Sequence, residues 1–180
     1  MKPIINWNEV KPSDGSTQRP QAGGYVCVIT KAEDVPEKQY LLVEFDISEG
    51  DFAGYCSETA GRFGNWPALG RTYRSYKESA AGMFKAFVNA VEGSAENKNF
   101  KWNWKEDKLV GKSFGGILGE EEYVGQDGTV KTSLKLTKCV TTDAIRSGDF
   151  KVPEIKKLKE SDRPAPADSY TDISEDEIPF

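Results

Sequence analysis

Between Arg62 and Lys77 the chain interleaves cations with aromatic rings: Arg62, Phe63 and Trp66, then Arg71, Tyr73, Arg74, Tyr76 and Lys77. Guanidinium and ammonium groups neutralise phosphates, and flat rings stack on unpaired bases at ~1–3 kcal/mol per base. That mixture suits a surface that holds one nucleic-acid strand without reading its sequence. Strand alternation would put Arg71, Tyr73 and Lys77 on one face and Arg74 with Tyr76 on the other, so at least one ring-and-cation set should face solvent. Lys38 and Tyr40 adjoin the preceding strand pattern, and Lys131 and Lys135 occupy the polar face of a later one. The competing reading is packing, because aromatic residues in strands also serve cores and cross-strand pairs. Trp102 and Trp104 flank Asn103 and share a face if extended. They either stack on bases or seal the bottom of the fold beside a helix, and sealing is the better reading for at least one. Glu44 and Asp46, read as exposed, would repel phosphate.

A second group of residues has different chemistry. Asp172, Glu175, Asp176 and Glu177 lead into Ile178, Pro179 and Phe180, and residues 168–180 contain no Lys or Arg. A segment of this composition buries too little apolar surface to offset its ordering entropy, so it is expected to be mobile. A partner with a pocket for Ile178 and Phe180 and a basic lip could capture it. A purely solubilising acidic tail explains the charge but not the apolar end.

Composition narrows the function classes. The net charge is −5, from 24 basic and 29 acidic residues; setting aside Asp168, Asp172, Glu175, Asp176 and Glu177 leaves 24 of each. The acidity therefore belongs to the tail and does not argue against nucleic acid. There is no His, which removes the usual general base and every Ser-His or Cys-His nucleophile. Cys27, Cys56 and Cys139 match neither a metal motif nor a disulfide framework and read as free thiols in a reducing compartment. No stretch reads as a membrane span or secretory signal. We expect no cofactor, no metal, no catalysis and a cytoplasmic protein.

The elements that must position these groups are mostly strands. Residues 1–22, with Pro3, Pro12, Gly15 and Pro20, read as an arm. Strands are expected at Tyr25–Thr30, at Tyr40–Ile47 with Leu41, Val43, Phe45 and Ile47 inward, and at Arg71–Lys77, separated by a polar loop and a Gly-rich irregular stretch over 48–70. A helix over about Ser79–Val91 follows, with Phe84, Phe87, Val88 and Val91 on one face, Ser79 as its cap and Gly93 as its end. A fourth strand, Phe114–Gly119, and a fifth flank the turn signal Asp127-Gly128. The fifth carries Val130, Leu134, Leu136 and Val140 inward against Lys131, Ser133, Lys135 and Thr137. A turn near Asp143–Ser147 closes the body, and residues 151–180 read as a flexible tail. Three strands, one helix and two strands is the order of the OB-fold, a five-stranded barrel with its helix between strands 3 and 4. We expect that mainly β fold over residues 23–150; an open five-stranded sheet with one covering helix is the alternative.

The tip Glu175-Asp176-Glu177-Ile178-Pro179-Phe180 resembles the acidic C-terminal tip of bacterial and phage single-stranded DNA-binding proteins. The body is similar to a family of phage and mobile-element proteins of that functional class. The residues that carry the similarity are Glu49-Gly50-Asp51-Phe52-Ala53-Gly54-Tyr55, Met83-Phe84-Lys85-Ala86-Phe87, Gly111-Lys112, and Ala144-Ile145-Arg146-Ser147-Gly148-Asp149-Phe150-Lys151-Val152-Pro153. The resemblance implies an OB-like fold, binding of exposed DNA strands in replication or recombination inside a bacterial host cell, and recruitment of host or phage replication and repair proteins through the tip. The central region departs from ordinary bacterial single-stranded DNA-binding proteins, so their oligomeric state does not carry over, and a homo-oligomer stays open.

Competing functions have weaker signals. Gly111-Lys112-Ser113 resembles the end of a phosphate loop, but Glu106 stands where that loop needs its first glycine. Asp46, Glu49 and Asp51 lack the diagnostic spacing of a metal nuclease. A strand-annealing or recombination-mediator protein shares the ligand but not the outcome. A barrel that merely delivers the tail to a partner would bind no nucleic acid.

Overall fold

In the computed structural model, residues 18–163 are described. The acidic tip and most of the expected arm lie outside them. Five strands form one antiparallel sheet: β1 (Gly23–Val35), β2 (Tyr40–Ile47), β3 (Arg71–Ser75), β4 (Ser113–Val124) and β5 (Val130–Val140). Their spatial order is β3-β2-β1-β4-β5. The helices are α1 (Tyr55–Phe63), α2 (Ala81–Gly93) and α3 (Thr142–Ser147). The mainly β class agrees with the sequence reading, and α2 sits between the third and fourth strands as expected.

β2 has the expected bounds, and its Leu41, Val43, Phe45 and Ile47 are buried. Phe45 and Phe87 both set edges against Phe114, with ring centroids 5.4 and 5.6 Å apart, so β2, β4 and α2 meet at one ring. α2 buries Phe84, Phe87, Val88 and Val91, as helical spacing requires. It begins after a 3-10 turn, and Ser79 makes no capping bond. Gly93 is its last residue, and a Cβ there would come 2.9 Å from Thr141 Cγ2, so close packing explains this glycine.

Several local expectations are corrected. β1 runs on through Lys31–Val35, where a polar loop was expected. It pairs with β4 over Gly23–Val28 and with β2 over Cys27–Val35, and the β2 ladder carries a bulge between Ile29 and Lys31. α1 lies within the stretch read as irregular. Its first-turn N–H groups are held by Asp46, whose Oδ1 accepts from Cys56 N at 2.8 Å and whose Oδ2 accepts from Ser57 N at 2.9 Å. In β5 a second bulge at Thr137 reverses the alternation, so Cys139, not Val140, joins the core. Residues 151–163, expected as flexible, run along β4: Lys156 N donates to Glu120 O and Glu122 N donates to Lys156 O, both at 2.9 Å.

α3 replaces the expected closing turn. Thr141 caps it by accepting from Ala144 N, and Gly148 ends it at φ 74°. Its Arg146 binds Glu49 and Glu96, which ties together the connections after β2 and after α2.

Candidate nucleic-acid interface

The outward face of β2 and β3 follows from their register. Leu42 opposes Tyr73, Glu44 opposes Arg71 and Tyr40 opposes Ser75. Because the inward residues of β2 fill the core, Tyr40, Leu42 and Glu44 face out, and so do their partners on β3. Tyr73 is 55% exposed and meets half-buried Tyr40 edge to face at 5.0 Å. Lys38 ends the 3-10 turn Pro36–Lys38 that leads into Tyr40. Lys77 follows β3 at the same end of the sheet, where Tyr76 N donates to Gln39 O at 3.1 Å. Lys38, Arg62 and Lys77 have no carboxylate partner among the described residues.

The other cations of this face are paired. Arg71 binds Glu44 at 2.6 Å, and Lys31 binds Glu33 at 2.6 Å. The Glu44 bond raises the Arg71 pKa further, so that guanidinium is charged at any ordinary pH. The repulsion expected from Glu44 is thus largely cancelled. Asp46 is corrected from exposed to buried: its carboxylate is consumed by the start of α1. Since Arg71 and Lys31 carry partners, and Glu37 and Glu78 adjoin Lys38 and Lys77, this face is close to neutral. Its rings rather than its net charge must supply most of any affinity.

Other expected residues lie elsewhere. Arg74, expected among the phosphate-facing cations, is only 5% exposed and points inward. Tyr76 is held by Asp34, to which its hydroxyl donates at 2.9 Å. Trp66 is half-buried and donates from Nε1 to Gly70 O at 2.9 Å, a bond that fixes the entry to β3. Arg62 and Phe63 lie in the last turn of α1, and Phe63 is 74% exposed. Lys131 and Lys135 are exposed on β5 but bind Asp127 at 2.7 Å and Glu121 at 2.8 Å. These are surface pairs, which exchange readily for another anion. Trp102 packs against the core with Phe84 and lines a groove beside α2, so it is not brought together with Tyr40 and Tyr73. Leu41 lines the same groove, which puts it on the opposite face of β2 from Tyr40.

The three cysteines are free; burial pushes the Cys27 and Cys56 thiols well above their ordinary value, so neither is a ready nucleophile. Among the described residues no group of three or more Cys, Asp or Glu side chains is placed to hold a metal ion. Among the same residues no helix is long and apolar enough to cross a membrane. Comparison of the chain with protein-family models and with curated proteins finds no match.

Proposed function

We propose that this protein binds single-stranded DNA without sequence preference, across the outward face of β2 and β3, during replication or recombination in a bacterial host cell. The observation that carries the reading is the outward-facing Tyr40–Tyr73 pair, with Tyr73 exposed and Tyr40 half-buried, flanked by Lys38, Arg71 and Lys77. A ring pair of this kind gives successive bases somewhere to stack, and the nearby cations meet the phosphates. The fold we infer is an OB-like barrel, with β3 and β5 as its seam. Supporting it are the strand order, the position of α2, and a side-chain bond from Arg74 on β3 to Cys139 on β5. The tip at Asp172–Phe180 recruits replication or repair proteins, a role that rests on its sequence alone.

Titration with fluorescent oligo-dT at two salt concentrations tests the binding. We expect saturable binding without Mg2+. With two to three phosphates contacted, the slope of log K against log[salt] is about −1.4 to −2. Equal affinity for duplex of the same length would remove stacking from the mechanism. Indifference to oligo-dT at low salt would favour an adaptor barrel.

A further inference from the structure

We propose that the groove between α2 and the Trp102–Trp104 loop docks a short apolar segment of another protein, flanked by lysine or arginine. The groove encloses about 760 Å³. Leu41 and Val88 line it with four aromatic residues, Tyr76, Phe84, Trp102 and Trp104. Phe84 and Trp104 lie 6.3 Å apart and only 27° from parallel, while Trp102 stands 6.0 Å from Phe84 and 6.1 Å from Trp104.

Trp104 is the informative member. It is 76% exposed and sits at φ 64°, a left-handed conformation unfavourable for a bulky residue. The backbone therefore bears strain in a position that leaves a large ring in water. Exposed apolar surface concentrated in one place marks an interaction site.

The charges at the groove select the occupant. Among the described residues, Asp34, Glu92 and Glu106 line it against a single cation, Lys85. Glu92 is already engaged by Lys101 at 3.1 Å and by Trp102 N at 2.8 Å. Among the described residues, Asp34 accepts only from the neutral Tyr76 hydroxyl and Glu106 has no cation partner. A lysine or arginine placed beside an apolar anchor would meet both a free carboxylate and a ring face. The same carboxylates repel a nucleic-acid strand and the chain's own acidic tip. Because Leu41 and Tyr40 lie on opposite faces of β2, this partner and DNA can be held together.

Calorimetric titration of the full chain tests the assignment. The probe is a blocked hexapeptide of two central leucines with two lysines on each side. The controls are the same peptide with glutamates and a peptide of residues 172–180. We expect the lysine peptide to bind one per chain, and both acidic peptides to bind at least about tenfold more weakly. Trp104→Ala should weaken the lysine peptide about tenfold and leave oligo-dT affinity unchanged. Asp34→Lys and Glu106→Lys should each weaken it about threefold, and they provide a second route should the indole prove needed for folding. Equal binding of either acidic peptide, unchanged peptide affinity in the three variants, or loss of oligo-dT binding in a folded Trp104→Ala chain would each overturn the proposal.

Discussion

The Arg74 guanidinium on β3 donates to Cys139 Sγ on β5 across 3.0 Å, and its Cζ lies 5.6 Å from the centre of the Phe87 ring. Its Nε is buried without a hydrogen-bond partner among the described residues. A sulfur and a ring face compensate a buried cation poorly, so much of its desolvation cost stands. Arg74→Met should therefore be neutral or stabilising by up to ~2 kcal/mol, whereas Arg74→Ala should cost about 2 kcal/mol through the space it leaves. Urea denaturation measures both. Oligo-dT affinity should stay within about twofold for Arg74→Met, because that residue faces away from the proposed interface.

Tyr73→Ala should weaken oligo-dT binding by ~1–3 kcal/mol while changing stability by less than about 1.5 kcal/mol. Tyr40→Ala should act alike, and the double variant should lose less than the sum, since the two rings support each other at 5.0 Å. Full additivity by fluorescence titration would mean the rings act at separate places.

Lys38→Ala and Lys77→Ala should weaken binding to all single strands uniformly. Each should reduce the salt slope by ~0.7, the value for one phosphate contact on a single strand. Lys131→Ala and Lys135→Ala should change it less if their carboxylate partners retain them. Titrations between low and moderate salt decide the matter; an unchanged slope in Lys38→Ala would move the phosphate track elsewhere.

Acid should release the segment laid along β4. The Lys135 ammonium, followed by that of Lys156, holds the Glu121 carboxyl at about 2, against an ordinary 4.5. The folded value is the lower one, so this anchoring is complete above pH 4.5 and fades as pH falls toward 2. Hydrogen exchange at Lys156 and Glu122 should accelerate across that window relative to the core strands. Glu121→Gln should exchange fast at neutral pH and show little further change.

Deletion of residues 172–180 should leave oligo-dT binding intact or tighter, because its carboxylates compete with phosphate for the same cations. The deletion and Phe180→Ala should both abolish recovery of a replication or repair protein from host extract. Undiminished recovery would leave the tail a solubilising role alone.

Part of this architecture was legible because it depends on local periodicity. Alternation in Tyr40–Ile47, helical spacing of Phe84, Phe87, Val88 and Val91, and Asp127-Gly128 all report short-range geometry, and each appears where expected. α1 was not legible. Its sequence is Gly-bounded and weakly patterned, and its start is held by Asp46, a residue from another strand. Bulges in β1 and β5 also escaped, because one inserted residue reverses a face without altering composition. Cys139 replaced Val140 for that reason alone.

The candidate site divides similarly. Arg71, Tyr73, Arg74 and Tyr76 were identifiable as residue types suited to nucleic acid, but alternation offers two faces and does not say which one the core takes. Burial of Val43 and Phe45 settled that Tyr40 and Tyr73 face out and that Arg74 faces in. No pattern in the chain foretold that Asp34 and Trp104, seventy residues apart, would line one groove. Residue spacing determined the strand-rich class, the helix and the kinds of chemistry available, since these depend on neighbours along the chain. Tertiary packing decided which charges are spent on partners, which rings meet water and where the second groove lies, because those outcomes depend on residues that only the fold brings together.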